Sequence, residues 1–357
     1  MRLSLLTSAR SWRGSTVSLS HIASGLASRG HHAELLVGEE ELGALARSRG
    51  IPVTVLPTRN TGLAEVRALR RALSASRSQV VIVDRPRDLR LAAMAAVGKG
   101  IALVYRYNVS RSRPPSDLIT RLSYLRVATT VFRSSAGAGQ VLAAAPFMAR
   151  RPHRVITGGV ETSVYYPDPS GGERFRKTHH LGDGAMLLAV GALMPEKRYP
   201  ELLDIVSRLP RRIPLFVCGE GRMEAELKAL AKTLDIDVRF LGFIPPPELR
   251  AAFAAATVVV HTCQVETFGL SVAEAMACGR PVVVAEGGAM DEVVGDAGIQ
   301  VTGNEPAAFA ERLDQAMGDP VLRARLGAAA HARSVARFSV DSVVTEYERL
   351  LHELEKA

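Results

Sequence analysis

Short apolar runs rich in Val, Ile and Leu recur along this chain, at residues 2–6, 33–37, 52–56, 80–83, 101–105 and 129–132. They return at 186–190, 213–217, 237–241, 257–260, 281–284 and 299–301. None is long enough for a helix, and their β-branched content predicts buried strands. Amphipathic stretches such as residues 63–73 and 92–97 lie between them and predict helices. Strand–helix alternation of this kind calls for a doubly wound parallel sheet covered on both faces. Twelve such runs fit two sheets better than one. Turn formers cluster from Gly158-Gly159 to Pro169-Ser170-Gly171-Gly172 and place the linker there. The expected division is therefore an α/β domain over residues 1–157 and a second over 158–338. A last amphipathic stretch, residues 340–354, carries Val343, Val344, Tyr347, Leu350 and Leu351 on one face.

Composition agrees and adds detail. A chain of 357 residues, 47% hydrophobic, is long enough for two domains with proper cores. Cys218, Cys263 and Cys278 lie in apolar stretches and are too few for a disulfide framework, so they read as reduced, buried thiols of a cytosolic protein. Residues 1–7 read as a first strand and not as a signal peptide, and no apolar run approaches the roughly 20 residues that span a bilayer. Charge divides the chain. Residues 1–155 hold 24 Arg and Lys against 8 Asp and Glu, a net +16, whereas residues 156–357 carry −7. A surface so basic attracts anionic headgroups or phosphorylated glycans. Nucleic acid is the weakest candidate, because the basic half has few aromatics to stack bases and no recognised binding motif.

The candidate chemistry centres on residues 257–281. Thr257-Val258-Val259-Val260-His261 reads as a buried strand, and Leu270, Val272, Ala273, Met276 and Ala277 recur at helical spacing until Gly279 and Pro281 stop the helix. Glu266 then sits at a strand's carboxyl end, before a helix whose first amides have no intrahelical acceptor and favour a phosphate. Gly269 lets backbone approach a ligand. Glu274 lies two turns on, able to turn back toward the same crevice. A carboxylate, an amide nest and a second carboxylate suit a sugar, a phosphate and a ribose.

The Glu266-x7-Glu274 block resembles the signature of retaining glycosyltransferases of family 4, the glycosyl transferases group 1. The resemblance extends to Gly14-Ser15, to Gly158-Gly159-Val160-Glu161 with Tyr166-Pro167, to Val190 through Lys197, to Phe216 through Gly221 and to Val238 through Ile244. It implies the GT-B fold, two facing Rossmann-like domains with a cleft between them, the first on the acceptor side and the second holding a nucleotide-diphosphate sugar. It also implies that residues 339–357 form a helix returning to the first domain. By resemblance, Glu266 binds donor-sugar hydroxyls and stabilises an oxocarbenium-like centre, Lys197 neutralises phosphate, and Glu274 grips the ribose. The amides of Phe268, Gly269 and Leu270 hold the distal phosphate. Gly14, Arg198, Gly219, Phe243, Ile244 and Thr267 complete the donor set.

The implied reaction is metal-independent, needs no cofactor beyond the nucleotide sugar as co-substrate, and delivers a hexosyl group to a saccharide or lipid-linked acceptor in bacterial cell-envelope or exopolysaccharide synthesis. Asp235-Ile236-Asp237 has metal-binding spacing but leads directly into a strand. Two departures stand out: Ala192 occupies a position where the family commonly has Arg, leaving Arg198 as the nearest substitute. No His ends the strand 101–105, so Arg106 or Asn108 takes the donor-sugar or acceptor position there. These departures leave two other readings open, a catalytically weak GT-B binding subunit and a sugar-nucleotide epimerase. The basic half predicts cytoplasmic protein with peripheral contact at the inner face of the plasma membrane, with Arg111, Arg113, Arg121 and Arg126 as contacts.

Overall fold

The structure, a computed structural model, describes residues 1–10, 14–56, 61–108, 116–303 and 305–356. It divides into two units, one comprising Met1–Gly159 with Val340–Ala357 and the other Val160–Ser339.

The first unit holds a parallel sheet of seven strands: β1 (Arg2–Thr7), β2 (His32–Val37), β3 (Val53–Val55), β4 (Val80–Val83), β5 (Ala102–Arg106), β6 (Val127–Phe132) and β7 (His153–Val155). Their order is β3-β2-β1-β4-β5-β6-β7. Because side chains alternate across a strand, successive residues serve opposite cores. Leu3, Leu5, Leu35, Val80 and Ile82 bury one face against the helices Ser15–Ser28 and Val340–Lys356, whereas Leu6, Leu36, Val81 and Val83 bury the other under Leu63–Ala75 and Pro86–Ala95. The helix Val340–Lys356 sends Val343, Val344, Tyr347, Leu350 and Leu351 into the first of these cores.

The second unit repeats the plan with six strands, β8 (Leu187–Val190), β9 (Leu215–Cys218), β10 (Val238–Gly242), β11 (Val258–His261), β12 (Val282–Ala285) and β13 (Ile299–Val301), in the order β10-β9-β8-β11-β12-β13. Leu188, Phe216, Val259, Val282 and Val284 face one core, and Leu187, Leu215, Val217, Val258, Val260 and Val283 the other. Every pairing in both sheets is parallel. In each sheet the connections run outward one way and then reverse, at β1/β4 in the first unit and β8/β11 in the second. Reversal leaves a crevice at the strands' carboxyl ends, where open α/β sheets bind ligands. All twelve runs read from the sequence are strands; β7 is the thirteenth. The three cysteines are buried free thiols.

Candidate functional site

The crevice of the second unit lies between the ends of β8 and β11. After β8 the chain turns through Gly191 to Met194 into a single 3-10 turn, Pro195–Lys197, then enters the helix Tyr199–Ser207. Arg198 joins the two in a left-handed conformation, φ 57°. The turn is fastened to β11 because the Thr262 hydroxyl donates to the carbonyls of Lys197 at 3.1 Å and Arg198 at 3.2 Å. The Tyr199 hydroxyl donates to the Gly191 carbonyl at 3.1 Å.

After β11 the loop 262–269 leads to the helix Leu270–Ala277. Gly269 caps that helix at φ 78°, a left-handed backbone that side chains with a Cβ disfavour. Ser271 ties the first turn to β8 by donating to the Val190 carbonyl at 3.0 Å. Gly288 lets the loop after β12 press on this one: a Cβ there would sit 2.8 Å from the Glu266 carbonyl oxygen.

These elements bring together three charged or titratable groups. Lys197 Nζ donates to Glu266 Oε1, and His261 Nε2 lies 3.3 Å from the same oxygen. Glu266 is 12% exposed and Lys197 22%. Burial alone would raise the Glu266 carboxyl, but the His261 imidazole and the Lys197 ammonium outweigh it and hold the group at about 2. Glu266 is thus an anion throughout the physiological range. Its environment has a donor on each side, as a residue facing developing positive charge requires. Cys263 also points at this spot; His261, Cys263 and Glu266 offer ligand atoms all within 4.8 Å of one another. That set has metal-ligating chemistry, but the Lys197 ammonium already pairs with the carboxylate oxygen a cation would take, and burial raises the Cys263 thiol, disfavouring the thiolate a metal needs.

Glu274 takes another course. It sits in the second turn of the helix Leu270–Ala277, where burial pushes its carboxyl up to about 8 and the Tyr165 hydroxyl, hydrogen-bonded to it, only partly opposes this. At neutral pH this carboxyl is largely protonated, so it both donates and accepts hydrogen bonds.

The other residues singled out from the sequence fall around these. Arg198 donates to Glu201 at 3.1 Å and Gln264 at 2.6 Å, bridging the two loops. Ala192 is exposed on the glycine loop. Gly219 follows β9, and its amide donates to the Gly242 carbonyl at 2.8 Å. Phe243, after β10, is 61% exposed, whereas Ile244 packs on the core beneath. Thr267 is half-buried; the Phe268 ring is buried against Phe338, so only its backbone faces the loop, and Leu270 packs on the same core. Asp235 and Asp237 flank the start of β10, away from the strands' carboxyl ends, and pair with Arg212 and Arg239.

In the first unit Gly14 begins the helix Ser15–Ser28. Arg106 ends β5 with 2% exposure and donates to Ser18 Oγ at 2.5 Å; Asn108 accepts from Arg133 Nη1 at 2.9 Å. Asp84, just after β4, is buried beside Arg106: desolvation raises its carboxyl against the guanidinium's pull. Burial likewise raises Asp88 to about 7, although the Ser8 amide donates to it at 3.0 Å. Asp84 and Asp88 at the β1/β4 reversal, and Thr262 and Tyr165 in the second unit, are not singled out in sequence, where His261 reads only as the end of a strand and Cys263 only as a buried thiol. A histidine closing the strand before Glu266 was the one visible signal. Arg111 and Arg113 lie outside the described residues. Arg121 and Arg126 are exposed, Arg121 stacking over Phe147 at 5.4 Å.

Comparison with known proteins bears on this geometry. The family described as glycosyl transferases group 1 matches residues 172–333. A D-inositol 3-phosphate glycosyltransferase of Acidothermus cellulolyticus is 35% identical over 212 residues, 54% of this chain and 46% of the relative. The GDP-mannose-dependent alpha-(1-6)-phosphatidylinositol monomannoside mannosyltransferase of Mycolicibacterium smegmatis is 30% identical over 247 residues, 65% of this chain and 61% of the relative. The chain thus spans about half to three-fifths of the length of these curated relatives. The crystal structure of Anabaena HepE in complex with UDP and glucose superposes with a TM-score of 0.86 at 22% identity, covering 99% of this chain and 100% of that one. Residues 172–333 are thus similar to the group 1 glycosyl transferases, and the two reversed parallel sheets with the structural likeness place the chain on the GT-B fold.

Proposed function

We propose that the protein is a retaining, metal-independent hexosyltransferase that moves a sugar from a nucleotide-diphosphate donor to an anionic saccharide or lipid-linked acceptor of the bacterial cell envelope. The observation that carries this reading is the ionised Glu266 held between Lys197 and His261 at the β8/β11 reversal, beside the first turn of Leu270–Ala277. As the bond from the anomeric carbon to the diphosphate oxygen breaks, its electron pair stays on the diphosphate. Lys197 and the amides of Phe268, Gly269 and Leu270 stabilise that charge. Glu266 faces the positive charge left on the sugar. The acceptor hydroxyl adds from the same face, and its proton passes to the departing phosphate oxygen. The ammonium of Lys197 does the neutralising that a divalent ion does elsewhere. Phe243 and Ile244 border the base, Gly219 and Thr267 border the phosphates and sugar, and Glu274 binds the ribose through a carboxyl able to donate as well as accept. Arg198 supplies the cation that Ala192 lacks.

The acceptor falls to the first unit, whose residues 1–155 carry +16, with Arg106 and Asn108 at the carboxyl end of β5 held by Ser18 and Arg133. Two of the relatives are named for inositol phosphate and phosphatidylinositol-linked substrates, which are anionic. The helix Leu118–Tyr124 supports contact with a lipid surface. It exposes Leu118, Ile119 and Leu122, with Leu125 beyond its end, by 55–71%, beside the exposed Arg121 and Arg126. Apolar side chains flanked by cations suit an anionic leaflet, each cation contributing about 1 kcal/mol near the surface. No helix among the described residues is long and apolar enough to cross a membrane.

Turnover of a panel of nucleotide sugars, with and without chelator, tests the chemistry. Donor hydrolysis that survives chelator and falls in Lys197→Ala supports it; strict dependence on a divalent cation refutes the metal-free mechanism. Donor binding with no turnover would make the protein a binding subunit. Sedimentation with anionic and neutral vesicles tests the surface: the expected result is binding to anionic vesicles only, lost at high salt.

A further inference from the structure

The second unit has another cavity, at the opposite edge of its sheet from the Glu266 crevice. It is lined by Thr257 and Pro281, the residues just before β11 and β12, by the end of the helix Pro246–Ala255, and by Arg176, Arg280 and Arg323, and it encloses about 510 Å³. The three arginines come from three separate parts of the chain: the helix Pro169–Thr178, the turn after Leu270–Ala277, and the helix Pro320–Phe338. No carboxylate is among the residues that line the cavity.

Each guanidinium is anchored through backbone carbonyls. Arg176 donates to Gly182 at 2.9 Å, Gly184 at 2.7 Å and Ala255 at 2.7 Å; Arg280 to Ala254 at 3.2 Å; Arg323 to Ala316 at 3.1 Å and to Met317. Several of these carbonyls close helices, so part of the positive charge answers helix ends. Two helix ends supply roughly half a negative charge each, against three full positive charges. The excess stays in the cavity. Burial lowers the Arg280 guanidinium, and Arg176 opposes its charge further. Its Nε–H is enclosed with no acceptor from the protein. Its Nη1 contacts the Ala254 and Ala256 carbonyls at 3.2 and 3.5 Å, and no carboxylate neutralises the guanidinium.

We propose that this cavity binds a phosphate dianion, as a free phosphomonoester or as a lipid headgroup, at a site separate from the donor crevice. Anchored guanidiniums give it preorganised donors, and the volume admits a phosphorylated metabolite. This site does not depend on the donor-site reading.

The test is titration of the full chain with inorganic phosphate by calorimetry, in a Lys197→Ala background that weakens the donor crevice's own contribution, the dependence on Arg323 and Arg176 separating the two sites. Saturable binding is expected, with a Kd on the order of 1 mM or tighter, weakened tenfold or more by Arg323→Gln and largely kept by Arg323→Lys. Circular dichroism and melting temperature establish that both variants fold, and Arg176→Gln provides a second removal of charge. Vesicles containing phosphatidic acid separate the two sources. Sedimentation that Arg323→Gln abolishes identifies a headgroup; phosphate binding without Arg323-dependent sedimentation identifies a soluble phosphomonoester. No saturable binding, or binding unchanged in folded Arg323→Gln and Arg176→Gln, overturns the proposal.

Discussion

Replacing Glu266 by Gln tests the heart of the site, because it removes a charge and keeps the shape. In the folded chain Glu266 titrates at about 2, against an ordinary value of 4.5. A group whose folded value is depressed contributes stability above its unfolded value and loses it as pH falls through the folded one. The difference is 2.5 units, and at 1.36 kcal/mol per unit it amounts to at most about 3.4 kcal/mol at pH 7. Solvent screening lowers this, since Lys197 is partly exposed. Glu266→Gln should therefore lower stability by about 1–3 kcal/mol at pH 7, because Lys197 and His261 lose their counter-charge. The deficit should shrink between pH 4.5 and pH 2, as the native carboxylate is itself protonated. Urea unfolding at pH 7 and pH 3, followed on both proteins, reads this directly. At pH 7 the same variant should lose about 10²–10³ in kcat, the cost of removing one preorganised charge from a transition state. A stability gap of equal size at both pH values refutes the electrostatic account, and near-normal kcat refutes the catalytic one.

Glu274 carries the opposite sign. Its folded value, about 8, lies above the ordinary 4.5, so it detracts from stability increasingly as pH rises from 4.5 to 8. Glu274→Gln should raise the melting temperature at pH 8 and change it little at pH 4; Glu274→Ala should mainly weaken donor affinity, since ribose contacts persist in ground and transition states alike. Gly269→Ala places a Cβ into Met290 and 3.9 Å from Glu266 Cγ at φ 78°. It should cost about 1–2 kcal/mol in unfolding free energy and reduce kcat/KM beyond the stability loss, which a donor-hydrolysis assay at constant folded fraction separates.

The strands and their parallel, doubly wound arrangement were legible because the alternation of short apolar runs leaves few other ways to bury them, and twelve runs became twelve strands. β7 escaped because His153-Arg154-Val155 is three residues long, exposed, and at the sheet's edge, where burial imposes no pattern. Glu266 stands after β11 where the sequence puts it, but what surrounds it and Glu274 comes from distant chain: Lys197 from 69 positions away and Tyr165 from another loop. Local sequence cannot tell that one of the pair is ionised and the other protonated. The same holds for Arg106, whose partner Ser18 lies 88 residues off.

The pairing of Val160 with Ser339, where the Val160 amide donates to the Phe338 carbonyl at 2.6 Å, brings the two ends of the second unit side by side. The first unit is thus interrupted by the whole of residues 160–339 and is completed only by the helix Val340–Lys356. During synthesis at about 5–20 residues per second, those 180 positions take roughly 10–40 s to emerge. For that time Leu19, Ile22 and Leu26 of the helix Ser15–Ser28 lack the Val344, Tyr347 and Leu351 that cover the same core in the finished fold. The helix that completes the first unit is made after the last residue of the second, so the half that begins the chain is also the one whose parts are assembled last.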